Sequence, residues 1–503
     1  MTVTMSPGRT LLSVSAGSFI GSRSENQDLF VMRRISTARG DSGSSSDRTG
    51  TSAEAFSYIS QCSLTRIDQV DLFHSDGGEG IFGDILLVAV LDGHGIQGRA
   101  AARIVADQLL HLLERDPQFT TSLCRDPAPL ETVIFPELQA WLSMQPELPA
   151  LDTHACGAAN IAGCDTPPGS CLHFDASFLG DLQPSPADPS NKSSSAETPP
   201  QEPSRSLSAS SFFDPCLSGT TLSLALFIPT DPTNLSMVFA HVGDTSSILG
   251  SVKRSPAVAG ASSGTEKWFT STLTEQHNWD NPAEAGAVLQ AGAPPADSSL
   301  QTRGNGSARI ARSTCPVTGQ EYGPLRIFRK TENIPGLAMS RALGDTVAQA
   351  LGVTARPTIR LRPLVQATSP AGGEGTDIRV DRFVILATDG VWDVVTPKTA
   401  FQVARKILRK RSPPAGCSEH IVTSLLKDVV CATRSERDTL DAQGATQIEG
   451  EFDNATALCV VVSTPGAEAS CNDICDNTGS GSVADSSTDS SADCSTPATS
   501  SSL

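Results

Sequence analysis

The strongest constraint on the fold is an aliphatic run, Ile85-Leu86-Leu87-Val88-Ala89-Val90, that leads straight into Leu91-Asp92-Gly93-His94-Gly95. An uninterrupted apolar run of this length reads as a buried strand. Its mouth then carries a carboxylate, a bare backbone and an imidazole. Asp92 can ligate a metal, Gly93 lets its carbonyl approach the same ion because it has no Cβ, and His94 can donate a proton nearby. Alone, Asp-Gly is a common turn dipeptide. The construction repeats, and repetition changes the reading.

Phe383-Val384-Ile385-Leu386-Ala387-Thr388 runs into Asp389-Gly390-Val391-Trp392-Asp393, and Val238-Phe239-Ala240-His241-Val242-Gly243 ends at Asp244. Near residue 453 the acid comes first: Asp453-Asn454 precedes Thr456-Ala457-Leu458-Cys459-Val460-Val461-Val462. A carboxylate at the mouth of a buried strand is costly to desolvate unless it is paired or metal-bound. The four aspartates have no matching set of Lys or Arg beside them in sequence, which points to a shared acidic cluster. Two carboxylates about 5 Å apart at an effective dielectric near 20 repel by roughly 3 kcal/mol. Such a cluster protonates, opens or takes a divalent cation. Oxygen-only ligands select hard ions, magnesium or manganese. No His-x-x-x-His or Cys-x-x-Cys pair supports zinc. The chemistry expected is metal-assisted hydrolysis.

The motifs, taken in order, resemble the metal-dependent protein phosphatases, the protein phosphatase 2C family. The blocks are Gly21-Ser22-Arg23-Ser24-Glu25-Asn26-Gln27-Asp28, Asp92-Gly93-His94-Gly95, Ser218-Gly219-Thr220-Thr221 and Ala240-His241-Val242-Gly243-Asp244-Thr245. Leu273-Thr274-Glu275-Gln276-His277, Gly336-Leu337-Ala338-Met339-Ser340-Arg341-Ala342-Leu343-Gly344-Asp345, Asp389-Gly390-Val391-Trp392-Asp393 and Asp453-Asn454-Ala455-Thr456 follow. The resemblance spans about residues 13 to 463. It implies an α/β fold, a central sandwich of two antiparallel β-sheets flanked by α-helices on both outer faces. The residues agree with it: Leu222 to Ile228 is strand-like, and Ala101, Ile104, Val105, Gln108, Leu109 and Leu112 fall at helical spacing. Further helices suit Ala400 to Leu408 and Ile421 to Ala432.

The resemblance also implies roles. Asp92 bridges two metal ions, Gly93 offers its carbonyl, and Asp389 and Asp453 hold the other side. Asp28 joins the metal set, and Asp244 and Asp393 match positions that hold a weaker third ion. Arg23 grips the substrate phosphate with its planar fork of donors. A metal-bridged water, its pKa pulled from 15.7 toward about 7, attacks the phosphoserine or phosphothreonine ester in line. His94 protonates the departing oxygen as general acid, and Asn454 orients ligands from behind. One position departs from the family pattern: Gln27 stands where a carboxylate is common. A raised metal requirement is the expectation, because the amide keeps an acceptor but loses the charge.

Each of these residues also has a plainer reading. Asp244 can cap a turn, Arg23 can be an ordinary surface cation, and His94 can be a hydrogen-bonded neighbour of the cluster. Asp345 with Arg341 is read as fixing a turn and the nearby loop. The run Arg405-Lys406-Ile407-Leu408-Arg409-Lys410-Arg411 is read as cations at a helix C-terminus, favoured by the dipole, over a nuclear signal. His111, His277 and Trp279 carry no signal separable from packing.

Beyond one catalytic domain, the extra length of this 503-residue chain is assigned to insertions and a tail. Residues 36–50 read as a Ser/Gly-rich loop and 184–211 as a disordered insertion. A third, 294–323, falls where the family carries a mobile flap and is expected to be disordered and to shape substrate choice. Residues 464–503 read as a solvated acidic Ser/Thr-rich tail. A net charge of −18 makes nucleic acid and anionic membranes poor partners, and no stretch approaches membrane-spanning length. The first block begins at residue 21, which is expected to leave no room for a cleavable leader. The 13 cysteines lack framework spacing, as expected of reduced thiols in cytoplasm or nucleus. A monomer acting on phosphoproteins is the expectation. The competing functions are a pseudophosphatase, which predicts eroded ligands, and a metal phosphatase of small molecules.

Overall fold

The central strands show no polar alternation because both of their faces are covered. The computed structural model describes residues 10–21, 23, 25–37, 57–60, 64–73, 83–144, 213–231, 234–255, 265–291, 308–315, 319–364, 378–410, 416–442 and 453–463. In chain order the strands begin with β1 (Leu11–Phe19), β2 (Asp28–Ile35), β3 (Ser57–Ser60), β4 (Thr65–Asp71) and β5 (Ile85–Gly95). Helices α1 (Gly98–Arg115), α2 (Pro117–Ser122) and α3 (Phe135–Met144) follow. Next come β6 (Ser218–Thr220), β7 (Leu222–Pro229), β8 (Leu235–Val242), β9 (Ser246–Ser255), β10 (Thr265–Thr272) and α4 (Pro282–Ala291). After these lie β11 (Ala308–Thr314), β12 (Glu321–Arg329), β13 (Pro335–Leu337), β14 (Leu343–Gly344), α5 (Thr346–Gln349), β15 (Thr358–Leu364) and β16 (Ile378–Ala387). The last described elements are α6 (Asp389–Trp392), α7 (Pro397–Leu408), α8 (Cys417–Ala442) and β17 (Ala455–Ser463).

One sheet has the order β10-β9-β16-β17-β1-β4. The other runs β3-β2-β5-β7-β8-β15, with β6 and β14 continuing from the far end of β5. Both are antiparallel. Phe30, Met32, Leu86, Val88, Phe227 and Phe239 of the second sheet meet Val14, Leu249, Val384, Leu386, Leu458 and Val460 of the first. Each of those phenylalanines is fully buried and contributes about 2–3 kcal/mol of transfer free energy. Alternate residues face outward into helices. Val31, Leu87, Ala89 and Leu224 pack with Ile104, Leu109, Leu113 and Phe135 of α1 and α3. Phe383, Ile385, Cys459 and Val461 pack with Ala400, Ala404, Ile421 and Leu425 of α7 and α8. The molecule is therefore the four-layer α/β sandwich expected from its sequence.

The helices expected from spacing form with wider bounds. Helix α7 starts three residues before its first buried position, Ala400, because Thr396 accepts a hydrogen bond from the Thr399 amide and Pro397 occupies the first turn. Arg405 and Lys406 lie in its last turn. One expectation is corrected. Within 294–323, taken as disordered, residues 308–314 form β11, which pairs with β12 in a separate three-stranded sheet with β13. That sheet has a small core of its own, including Ile327, Leu337 and Met339 with Trp279 and Val288. Ordered backbone follows from that shared burial. Residues 38–50, 184–211 and 464–503, the other stretches read as loop, insertion and tail, lie outside the described residues.

Candidate metal centre

Antiparallel pairing brings the aspartates to one end of the sandwich. Asp28 opens β2 and sits directly across from Asp92 of β5. Strand β16 runs toward that end and β17 starts there, with Ala387 opposite Ala457, so Asp389 and Asp453 flank the same edge. Asp244 lies in the short turn by which β8 of one sheet passes to β9 of the other. Pairing of β5 with β7 ends at Val90–Ser223 and pairing with β6 begins at Gly93–Thr220. The gap falls on Asp92. There the Asp92 amide donates to Thr221 Oγ1 at 3.0 Å, and its carbonyl accepts from the Thr221 amide at 2.9 Å and Thr220 Oγ1 at 3.1 Å. Its backbone is fully satisfied, and the carboxylate is left for other work.

Carboxylate oxygens of Asp92, Asp244 and Asp389 lie within 4.8 Å of one another. One oxygen each of Asp28, Asp244 and Asp389 is buried without a hydrogen-bond partner. Oxygen-rich, crowded and partnerless, these atoms fit a hard divalent cation. Burial, reinforced by each other's charge, holds Asp92 and Asp389 well above the usual carboxylate range. Burial likewise lifts Asp244 to about 6, with His94 opposing the shift. Asp393, on the turn after α6, is raised by partial burial of its carboxylate and by the charge of Asp453.

The remaining expected residues take distinct places. Asp28 stands behind Asp92, where Thr388 Oγ1 donates to it at 2.8 Å. Burial raises Asp28 to about 7 against the pull of Thr388 and Thr456. Asp453 is at the cavity mouth, paired with Arg23 at 2.7 Å rather than within the close trio. Asn454 anchors the segment that carries Arg23 and Gln27: its Oδ1 accepts from the Gln27 amide at 2.8 Å and its Nδ2 donates to Ile20 O at 2.7 Å. Gln27 Nε2 donates to Gly95 O at 3.2 Å. A cavity of about 1180 Å³ joins Arg23, Gln27, Asp92, Gly93, His94, Asp244, Asp389, Asp393 and Asp453. Its far wall brings in Leu325, Arg326 and Met339 of the three-stranded sheet region, together with Trp392.

His94 is not merely adjacent to the cluster. Its Nε2 lies 2.6 Å from Asp345 Oδ2, and its Nδ1 is buried with no partner. Burial works against the imidazolium, but the Asp345 carboxylate outweighs it and lifts the His94 pKa above its ordinary value. The reading of Asp345 and Arg341 as residues that fix a turn and the nearby loop gave no sign of this contact. Arg341 grips Glu284 of α4 through Nε at 2.9 Å and Nη2 at 2.6 Å. Asp345 and the supporting threonines Thr220, Thr221 and Thr388 escaped the sequence reading. Their motifs were visible, but the partners are 68 to 360 residues away. His277 has a packing role: it stacks on His241 with centroids 4.3 Å apart and accepts from the Gly243 amide at 3.3 Å, steadying the turn before Asp244.

Residues 190–436 match the sequence profile described as protein phosphatase 2C. That stretch holds Asp244, Asp389 and Asp393, while Asp92 and Asp453 fall outside it. Probable protein phosphatase 2C 61 of Arabidopsis thaliana is 35% identical over 113 residues, covering 22% of this chain and 30% of that relative. Probable protein phosphatase 2C 12 of Oryza sativa subsp. japonica is 36% identical over 107 residues, covering 21% of this chain and 24% of the relative. The chain thus aligns with less than a third of the length of these relatives. A crystal structure of serine-threonine phosphatase 2C from Toxoplasma gondii is 15% identical, with 91% of this chain and 97% of that one covered, at a TM-score of 0.43. The profile match, the two plant relatives and the ordered motifs converging on one acidic cavity support the protein phosphatase 2C family for this chain.

Proposed function

We propose that this chain is a metal-dependent protein serine/threonine phosphatase. The observation that carries the reading is the trio Asp92, Asp244 and Asp389, crowded within 4.8 Å along an open cavity, with a partnerless buried oxygen on Asp244 and another on Asp389. Two magnesium or manganese ions would be held by Asp92, the Gly93 carbonyl, Asp389 and Asp453, with Asp244 and Asp393 available to a weaker third. Bound there, they would supply the Lewis acidity that activates a water and draws charge from the phosphoryl oxygens.

The chain's own residues define the rest. Arg23 is parked on Asp453 at the mouth, and both side chains are more than a third exposed. An exposed pair of this kind is worth at most about 1 kcal/mol. Cation binding at Asp453 would free the guanidinium, which can then take a phosphate dianion through two parallel N–H donors. His94 lines the cavity with Nε2 held and Nδ1 unpartnered, so Nδ1 is the nitrogen available to protonate a departing serine or threonine oxygen. Asn454 and Gln27 keep the Arg23 segment against the metal ligands.

Phosphoproteins are the proposed substrates and a monomer the proposed state. The charge of −18 argues against nucleic acid and anionic membrane partners, and no helix among the described residues is long and apolar enough to cross a membrane. Cytoplasm or nucleus is the proposed location, supported by free cysteines such as Cys216, Cys417 and Cys459. Retained carboxylates weigh against a pseudophosphatase. Phosphate release from a phosphothreonine peptide should require manganese or magnesium and vanish with chelator. Asp389→Asn should lower it by more than roughly a hundredfold, since even outer-shell changes at metal sites cost 10–100-fold. Activity indifferent to chelator would overturn the reading, and turnover confined to small phosphate esters would move it to the small-molecule alternative.

A further inference from the structure

A buried carboxylate 251 residues further along the chain meets the proposed acid. We propose that Asp345 is the positioning residue of His94, fixing the imidazole so that Nδ1 faces the leaving oxygen of the substrate. The inference rests on the phosphatase reading and deepens it. Asp345 Oδ2 is 2.6 Å from His94 Nε2, with side-chain exposures of 4% and 17%. A carboxylate only accepts, so Nε2 carries the hydrogen of that bond and Nδ1 is the nitrogen left to act. Nδ1 is buried and has no other partner.

The backbone is built around this contact. His94 of β5 is opposite Gly219 of β6, and Gly219 is opposite Gly344 of β14, so the carboxylate of the next residue spans β6 to reach the ring. A side chain at 219 would put its Cβ 2.1 Å from Asp345 Oδ2; the glycine leaves the slot open. Asp345 itself is left-handed, at φ 47° and ψ 49°. For a residue other than glycine that conformation costs about 1–2 kcal/mol and is characteristic of functional sites. Its amide is held by Ser218 O at 3.0 Å. The ordinary job of such a residue would be to cap the following helix α5, yet its side chain makes no cap hydrogen bond. The carboxylate is spent on His94 instead.

The test uses the full chain with manganese and two variants: Asp345→Asn, which keeps an acceptor, and Asp345→Gly, which tolerates the left-handed backbone. On a phosphothreonine peptide, whose alkoxide leaving group needs a proton, Asp345→Gly should lower kcat by about thirtyfold, within the range of general-acid effects. On p-nitrophenyl phosphate, whose leaving anion needs none, the loss should be about tenfold smaller, and Asp345→Asn should recover part of the peptide activity. In a His94→Gln background, Asp345→Gly should add no further loss. Equal losses on both substrates, or additive losses with His94→Gln, would overturn the proposal and leave Asp345 a structural residue. Manganese affinity by calorimetry within about threefold of the parent shows that the ligand cluster still folds in each variant. A parent chain inactive on both substrates would instead sink the phosphatase reading, and this proposal with it. Independently of turnover, the His94 Nε2 proton resonance should disappear in Asp345→Gly; its persistence would refute the pairing.

Discussion

At position 27 a carboxamide sits beside a site built for cations, and its consequence is measurable. Gln27 Nε2 donates to Gly95 O, so the side chain is tied to the strand end that also carries Gly93. Replacing it with glutamate removes that donor and adds a negative charge near the ligands. A charge acting through one water on a divalent ion is worth about 1 kcal/mol, roughly fivefold in affinity. Gln27→Glu should therefore bind manganese roughly fivefold more tightly by titration calorimetry, and an unchanged affinity would show that the amide does not limit metal binding. Residues of this kind were legible because each acid or its substitute stands beside an apolar strand run. Asp345 was not. Its motif, Ala342-Leu343-Gly344-Asp345, reads locally as a turn, and only the β5–β6–β14 register shows that its carboxylate belongs to His94.

Among the elements, legibility followed burial. Strands β5, β7, β8, β16 and β17 could be read from unbroken apolar runs because a sheet covers one face and helices the other. Strands β10 and β11 could not: most of their residues are exposed or half-buried, and they exist because β9 and β12 pair with them. Helix α4 is a similar case, weakly patterned and secured from outside. Glu284 accepts from Ser340 Oγ at 2.8 Å and from two Arg341 nitrogens, while Arg341 Nη1 reaches Arg356 O at 3.0 Å. One arginine thereby ties α4 to the segment leading into β14. Although burial opposes it, this bonding holds Glu284 below its ordinary pKa. Arg341→Lys keeps the charge but loses the fork, and should lower unfolding free energy by about 1–2 kcal/mol in a urea titration. No change in midpoint would mean that the α4 anchor is dispensable.

For the whole molecule, the sandwich holds its two sheets together at the same end where it concentrates negative charge. Asp28 and Asp92 belong to one sheet, Asp389 and Asp453 to the other, and Asp244 to the crossing between them. Without cations, burial keeps protons on Asp28 up to about pH 7 and on Asp244 up to about pH 6, whereas an unfolded chain releases both near 3.8. Between those limits the native state binds more protons than the unfolded state. Stability from these groups is accordingly fully present below about pH 4 and falls as pH rises through their folded values. Divalent ions require the same carboxylates ionised, so their binding releases protons and strengthens with pH. The gap in Tm between manganese-loaded and chelator-treated protein should therefore widen from about pH 5 to about pH 7.5. Scanning calorimetry at both values measures it directly. Taking the gap, rather than either Tm alone, cancels groups remote from the site, including the acid-labile contribution of Glu284. A gap that stays constant or narrows would mean that protons and cations do not compete for these aspartates, and the sheets would then be closing on something other than a metal site.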